Sequence, residues 1–367
     1  MSIKKPTKAV ILVGSRDFGR SPLASRLPTA LWPIADRSVL ERLLHHLDTQ
    51  GLTEAVVCSS GNAALLQKHN TITKSIRLSF LDEQLPSGTA GCIRDAVDGD
   101  MSTPLLVLHA AIVLPPAIDS LVQTHQAGNA DLTVMLKPGA QESGTNDFAS
   151  MGIYICEPSI LKYIPKKGYC DIKEGLIPAM VQAGQAVNTA VLNGATTGFQ
   201  HRAGYLTAIG NFLASATSED IDLPRRRWND STDVWLADCA NVDSSARIYG
   251  PVVIMDGAAV SENVIIFGPV IIGRNVTIER NTFIRNSVFW DGSSLGQGCE
   301  IHNSVLDYDA AVPSDRIVDS AAVTSEQNSM LGQMLDKAVL LVSGKSDRMC
   351  PAVSKGKTQT IIHKSNN

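Results

Sequence analysis

One period dominates the chain. From Leu236, steps of six reach Val242, Ile248, Ile254, Val260, Ile266, Ile272, Ile278, Ile284 and Trp290, and every one of these positions is apolar. The residues four further on (Ala240, Ala246, Val252, Ala258, Val264, Val270, Val276, Thr282, Val288 and Ser294) are small or β-branched, with Gly, Asn, Asp, Glu and Arg between them. Such a step matches neither helical periodicity nor simple strand alternation. It demands short parallel strands wound as a triangular prism, one strand per hexapeptide, with an inward side chain on each face and a small residue near each corner. A sandwich of alternating strands would show turn-separated runs without a fixed step of six.

This segment resembles the left-handed β-helix of hexapeptide-repeat proteins. At about eighteen residues per coil, the repeat covers about three coils before its register slips after Trp290 and resumes at Leu295 and Ile301. A solenoid buries its core only by stacking, so its ends need covers. Met330, Leu331, Met334, Leu335, Ala338, Val339 and Leu341 follow a helical stripe that would serve as a lid or an oligomer contact. Beyond it, Lys345, Arg348, Lys355, Lys357 and Lys364 face one acid, Asp347, in a basic tail.

At 367 residues the chain exceeds what one core usually serves, and two domains are expected. The expected division is an α/β domain over 1–215, a linker over 216–233, the β-helix over 234–325, and a C-terminal helix with basic tail over 326–367. A net charge of −4 offers no electrostatic reason for a nucleic acid or an anionic membrane as partner. The five apolar residues Ala9 to Val13 are too short for a signal-peptide core or a membrane span. Seven scattered cysteines without a Cys-x-x-Cys pair read as reduced thiols of a cytoplasmic protein.

Ahead of the repeat, apolar β-type runs alternate with amphipathic stretches. Strands are expected at Lys8–Val13, Glu54–Cys58, Ile76–Leu81, Leu105–His109, Asp131–Met135 and Met151–Cys156, and helices at Ser38–Gln50, Thr89–Val97, Pro115–Gln126 and Lys173–Ala183. This order argues for an α/β fold with a mostly parallel sheet covered on both faces, whose ligands sit over the carboxyl ends of the strands.

Residues Ala9 to Arg16, Arg20-Ser21-Pro22-Leu23 and Leu27-Pro28-Thr29-Ala30-Leu31-Trp32-Pro33-Ile34 resemble the opening of the sugar-1-phosphate nucleotidyltransferases, or NDP-sugar pyrophosphorylases. Glu83-Gln84-Leu85-Pro86-Ser87-Gly88-Thr89-Ala90-Gly91 resembles that family's second nucleotide loop, and Met151-Gly152-Ile153-Tyr154-Ile155 its "NAGIYV" strand. Asp233 to Val252 is similar to the family's passage into a C-terminal β-helix. The likeness runs in order from about residue 8 to about residue 310, which is more specific than any single motif. It implies a Rossmann-like nucleotidyltransferase domain followed by the left-handed β-helix. It also implies nucleotide contacts at Gly14, Ser15, Arg16, Gln84, Gly88, Thr89, Ala90 and Gly91, with backbone amides contributing more than side chains.

The family reaction sends a sugar-phosphate oxygen onto the α-phosphorus of a nucleoside triphosphate, and needs fixed cations to take up the charge. The resemblance implies Mg²⁺ on two aspartates, with Arg and Lys from the first loop. In this chain the loop arginine falls on Gly19 and the "PKP" lysine on Thr29, while Ser15 and Asp17 stand where glycines are expected. The first metal aspartate falls on Ala111 and the second near Thr197 and Gly198, and the sugar-phosphate "EKP" segment is missing between Lys137-Pro138 and Met151. The expectation is therefore a homologue with impaired catalysis and no resident cofactor, with Mg²⁺ required only if the reaction still runs. It would bind a nucleotide or nucleotide sugar, or act as a regulatory or structural subunit in polysaccharide or surface-glycan synthesis. Partnership through the β-helix, as a homo-oligomer or with an active homologue, is a further expectation.

Competing readings attach to particular residues. An active pyrophosphorylase would need a relocated metal site. His109 and His201 could share a metal if they faced one cleft, though a hydrogen-bonded histidine at a strand end is the commoner case. Asp82 and Glu83 fall in the region the resemblance assigns to the base, and Asp147 follows an amide, Asn146. Arg225-Arg226-Arg227-Trp228 reads as a solvated interdomain linker following Glu219, Asp220 and Asp222, the alternative being a phosphate clamp. His302 is the one histidine that could serve a hexapeptide acyltransferase.

Overall fold

A computed structural model describes residues 5–14, 22–68, 75–83, 85–97, 103–138, 148–192, 194–228, 231–325 and 339–341. The chain divides into two compact units: residues 1–16, 28–32 and 38–198 in the first, and 17–27, 33–37 and 199–367 in the second.

In chain order the strands ahead of the repeat are β1 (Lys8–Leu12), β2 (Pro33–Ile34), β3 (Arg37–Ser38), β4 (Glu54–Ser59), β5 (Arg77–Asp82), β6 (Leu105–His109), β7 (Ile112–Val113), β8 (Leu132–Pro138), β9 (Phe148–Cys156), β10 (Val187–Val191) and β11 (Thr197–Gly198). The helices are α1 (Pro22–Arg26), α2 (Val39–Thr49), α3 (Ala63–Lys68), α4 (Gly88–Val97), α5 (Ile118–Ala127), α6 (Ile177–Gln182) and α7 (Arg202–Ser215).

The first unit is built on a seven-stranded sheet in the order β10-β8-β9-β6-β1-β4-β5. β1 lies parallel to β4 and β6, β4 to β5, and β8 to β10, whereas β9 runs antiparallel to both β6 and β8. The apolar runs of β1, β4 and β6 are buried because helices cover both faces of such a sheet. α2 starts where Ser38 and Glu41 form a capping box, and it buries Leu40, Leu43, Leu44 and Leu47 on one stripe. The expected α/β class holds, with β10 as an edge strand that the apolar pattern did not announce.

The second unit contains the parallel β-helix. Val242, Val260, Ile278, Leu295 and Val312 line up through one five-stranded face, and Ile248, Ile266, Ile284, Ile301 and Val318 line up through another. These side chains form one buried cluster down the axis. The solenoid thus extends past the regular part of the sequence repeat.

The register slips earlier than the six-residue step suggests. Phe267 pairs with Arg285 but Val270 pairs with Ser287, so the Gly268-Pro269 corner faces the single residue Asn286. Asn286 (φ 45°) and Asn303 (φ 47°) turn the corner in the left-handed conformation that asparagine tolerates, and each such coil loses one residue. Phe289, not Trp290, is therefore the inward residue. Trp290 is buried outside the axial cluster, where its indole Nε1 donates to the Tyr205 hydroxyl at 3.3 Å.

The ends are covered differently from expectation. Arg225–Trp228 forms a strand antiparallel to Ser231–Leu236, with Arg225 paired to Asp233 and Arg226 to Asp238, so the arginine run is a solvent-exposed, ion-paired strand instead of an irregular linker. At the far end, Val339–Leu341 is a strand antiparallel to Ala322–Thr324, which corrects the helical reading for those residues. Met330 to Ala338 and the basic tail lie outside the described residues. α1 belongs to this unit too, with Arg26 Nε 2.8 Å from the buried Asp307 carboxylate. No helix among the described residues is long and apolar enough to cross a membrane, and Cys58, Cys92, Cys156, Cys170, Cys239 and Cys299 are free thiols.

Inward and outward positions should differ sharply in their tolerance of truncation. Ile266→Ala, at a fully buried axial site, is expected to lose about 2–5 kcal/mol. Ile265→Ala, one residue away and half-exposed, should lose less than about 1 kcal/mol. Urea unfolding midpoints of the two variants check the register.

Candidate functional site

Gly14 follows β1 at the carboxyl edge of the sheet, is exposed, and would bring no atom within 4 Å of an added Cβ. Ser15, Arg16, Gly19 and Gln84 lie outside the described residues, as does Asp147.

The second loop is better defined. Gly88 has φ +75°, and a Cβ there would lie 2.5 Å from the Cys170 carbonyl oxygen, so glycine is required twice over. The Cys170 carbonyl accepts from the amides of Ala90 (2.9 Å) and Gly91 (3.1 Å), while the Cys170 amide donates to the Ser87 carbonyl at 2.8 Å. Two of the amides expected to meet a ligand are thus already engaged inside the protein. Thr89 adds a side-chain tie: its hydroxyl donates to Asp171 Oδ2 at 2.8 Å and accepts from the Ile172 amide at 2.8 Å. Glu83 braces the loop from below, accepting from the Ser87 hydroxyl and from the Cys92 thiol. Asp82 accepts from the Gly61 amide at 2.7 Å, so both strand-end acids hold backbone and loop in place.

These ties bring a charged group to the loop that sequence reasoning passed over. Asp171 caps the helical segment that follows it, accepting from the Lys173 amide at 2.7 Å and the Glu174 amide at 3.3 Å. Burial alone would raise its carboxyl. The Thr89 hydroxyl, the two amides and the Lys173 ammonium more than offset that and hold it below the ordinary range. The signal was present in the chain as an aspartate two residues before the predicted helix start at Lys173, but its partnership with Thr89 is made only in space.

His109 ends β6, and Gly152 (φ +70°) packs on its ring so closely that a Cβ would come within 2.6 Å of Cδ2. Burial lowers the imidazole pKa, the Lys173 charge lowers it further, and Asp171 pulls it partly back. His109 is therefore neutral at pH 7. Tyr154, one of the neighbouring β9 residues, shares a 3.3 Å hydroxyl contact with Ser150.

The two positions where the resemblance places metal aspartates do meet. β7 and β11 pair antiparallel, and a Cβ built on Gly198 would lie 3.8 Å from the Ala111 carbonyl oxygen and 3.9 Å from that of Met151. Alanine and glycine offer carbonyls but no carboxylate, so these residues do not fit a magnesium ion held by two acids. Thr29 opens a short 3₁₀ turn (Thr29–Leu31) and carries no charge. His201 caps α7 by accepting from the Gly204 amide at 3.2 Å, and His302 packs 5.3 Å from the Phe283 ring.

Comparison with known proteins fits this geometry. Residues 8–146 match the family model described as nucleotidyl transferase. The chain is similar to a D-glycero-alpha-D-manno-heptose 1-phosphate guanylyltransferase of Aneurinibacillus thermoaerophilus, 23% identical over 163 residues, which is 44% of this chain and 68% of the relative. It is 25% identical over 209 residues to a mannose-1-phosphate guanyltransferase of Aspergillus fumigatus, spanning 48% of this chain and 57% of that protein. A UTP–glucose-1-phosphate uridylyltransferase of Synechocystis sp. is 25% identical over 340 residues, covering 82% of this chain and 87% of its own length.

The His109 environment has a pH signature. Its proton is bound more weakly in the folded than in the unfolded chain, where the ordinary value is 6.5, so protonation favours unfolding. Its share of stability is complete above about pH 6.5 and falls as pH drops below that value. Melting temperatures of the wild type and His109→Asn between pH 8 and about pH 5 should show a shallower acid decline in the variant.

Proposed function

We propose that the protein is a sugar-nucleotidyltransferase homologue with impaired catalysis that binds a nucleotide or nucleotide sugar, a reading supported by the match of residues 8–146 to the nucleotidyl transferase family model. The observation carrying this reading is the meeting of Ala111 and Gly198: the fold brings the two places together, and neither side chain can anchor a cation. When bound, Mg²⁺ would take up charge on the phosphoryl oxygens in this family's chemistry, and a misplacement of about 1 Å can already lower a rate about a hundredfold.

Binding makes lesser demands. Gly14 is exposed just past the end of β1, where a phosphate would be met, and Thr89 and Asp171 hold the second loop in one shape. Lys173 is exposed beside this loop and supplies a positive charge toward an anionic ligand. His109, being neutral, offers a hydrogen bond instead of a second charge. The named relatives act on sugar 1-phosphates, and a nucleotide sugar is the ligand class we assign here by that likeness. A cytoplasmic place in polysaccharide or surface-glycan synthesis, with partners met through the β-helix, completes the proposal.

The second reading, a working pyrophosphorylase, draws on Asp171 and Lys173, which keep an acid and a base at the loop. Pyrophosphate release across nucleoside triphosphates and sugar 1-phosphates with Mg²⁺ separates the two. The proposal expects no turnover near about 1 s⁻¹, an ordinary enzyme rate, together with a rise in melting temperature on adding a nucleotide sugar. Lys173→Ala should weaken that binding about threefold to tenfold. Ala111→Asp combined with Gly198→Asp should create a Mg²⁺-dependent rise in melting temperature that the parent lacks, since a Cβ at residue 198 meets only ordinary contacts.

A further inference from the structure

We propose that the groove between α7 and one corner of the solenoid binds a small polyhydroxylated anion, a sugar phosphate or a sugar acid, through Arg202. The groove measures about 470 Å³ and is built from residues of the second unit alone, so it is distinct from the loops described above. Its volume falls in the range of about 300–1,000 Å³ common to small-molecule sites.

Arg202 is the reason to expect an anion. Its Nη1 donates to the Asn303 carbonyl, and its Nε is buried without any acceptor. Among the described residues no carboxylate forms an ion pair with it. Asp319 exerts an attraction, but its Oδ1 already accepts from Asn303 Nδ2 and the Ser320 hydroxyl, both at 3.2 Å. A guanidinium keeps its proton under all ordinary conditions. With one buried N–H lacking an acceptor and no ion pair among the described residues, this guanidinium gains from an anion in the groove, and its planar fork suits phosphate or carboxylate.

The remaining walls recognise hydroxyls. Asn286 spends its amide nitrogen on Asn303 Oδ1 at 2.8 Å and keeps its own carbonyl oxygen as an acceptor. Thr207 donates to the Ala203 carbonyl at 3.1 Å, which leaves the lone pairs of its hydroxyl oxygen to accept. One cation beside two acceptors matches an anionic group on a body rich in hydroxyl donors.

Titration calorimetry of the full chain with a hexose 6-phosphate, a hexuronate and the unmodified hexose tests the proposal. At least one of the two anions should bind, the plain hexose should bind far more weakly, and Arg202→Gln should weaken the anion about tenfold or more. Arg202→Gln also loses the bond to Asn303, so Thr207→Phe is the deciding variant. It fills the groove from an exposed position, leaves Arg202 in place, and should abolish binding with little change in the free protein's melting temperature. Binding of neither anion, binding of the hexose as tight as its phosphate, or an unchanged affinity in Thr207→Phe would each overturn the assignment.

Discussion

The carbonyl of Cys170 organises the first unit's candidate site. It accepts hydrogen bonds from two successive amides at the start of α4, while the amide of the same residue donates to the Ser87 carbonyl. An irregular loop is thereby fixed at three backbone points, and the closeness of approach leaves room for no residue but glycine at position 88. Everything polar around the loop follows from that junction. Thr89 can reach Asp171 because their backbones are already bound, and Asp171 can begin the next helix because its carboxylate is held where three donors converge. Such a loop needs no ligand to keep its shape, which is what binding without reorganisation calls for.

The solenoid shows a different economy. Its corners, not its faces, decide the register. Gly-Pro corners take two residues where the asparagine corners take one, and the axial side chains stay aligned because the loss occurs outside the strands. The same asparagines then form a ladder, Asn286 to Asn303 to Asp319, that satisfies amides at the surface of successive coils. α7 lies along this corner with a largely apolar sequence and with Arg202 as its one charge, so the corner is at once a packing surface and the polar wall of a groove.

How much of this was legible depended on whether a residue acts through sequence neighbours or through space. The six-residue step revealed the prism because each hexapeptide repeats the same local task. It misassigned Trp290 because apolar identity alone cannot distinguish Phe289 inside from Trp290 outside once a corner has lost a residue. The helix α2 and the strands β1, β4 and β6 were readable for the same local reason. Asp171 was not, since its importance lies in bonds to Thr89, eighty-two residues away in the chain. The arginine run misled for the opposite reason: three like charges suggest an irregular linker, but the strand, with Arg225 paired to Asp233 and Arg226 to Asp238, arises only when the two segments align.

The neutral pair Ala111 and Gly198 is consistent with the charges around it. Two carboxylates this close repel one another and resist burial unless a cation stands between them. Nearby acids would also favour the protonated form of His109, yet burial and Lys173 keep that imidazole neutral, opposed by Asp171 alone. The region holds a neutral histidine under a glycine, one carboxylate that accepts from three donors, and backbone carbonyls where Ala111 and Gly198 meet. Introducing a single aspartate would disturb this balance by adding an unmatched charge, whereas introducing one at each position would create a pair that a divalent cation could meet.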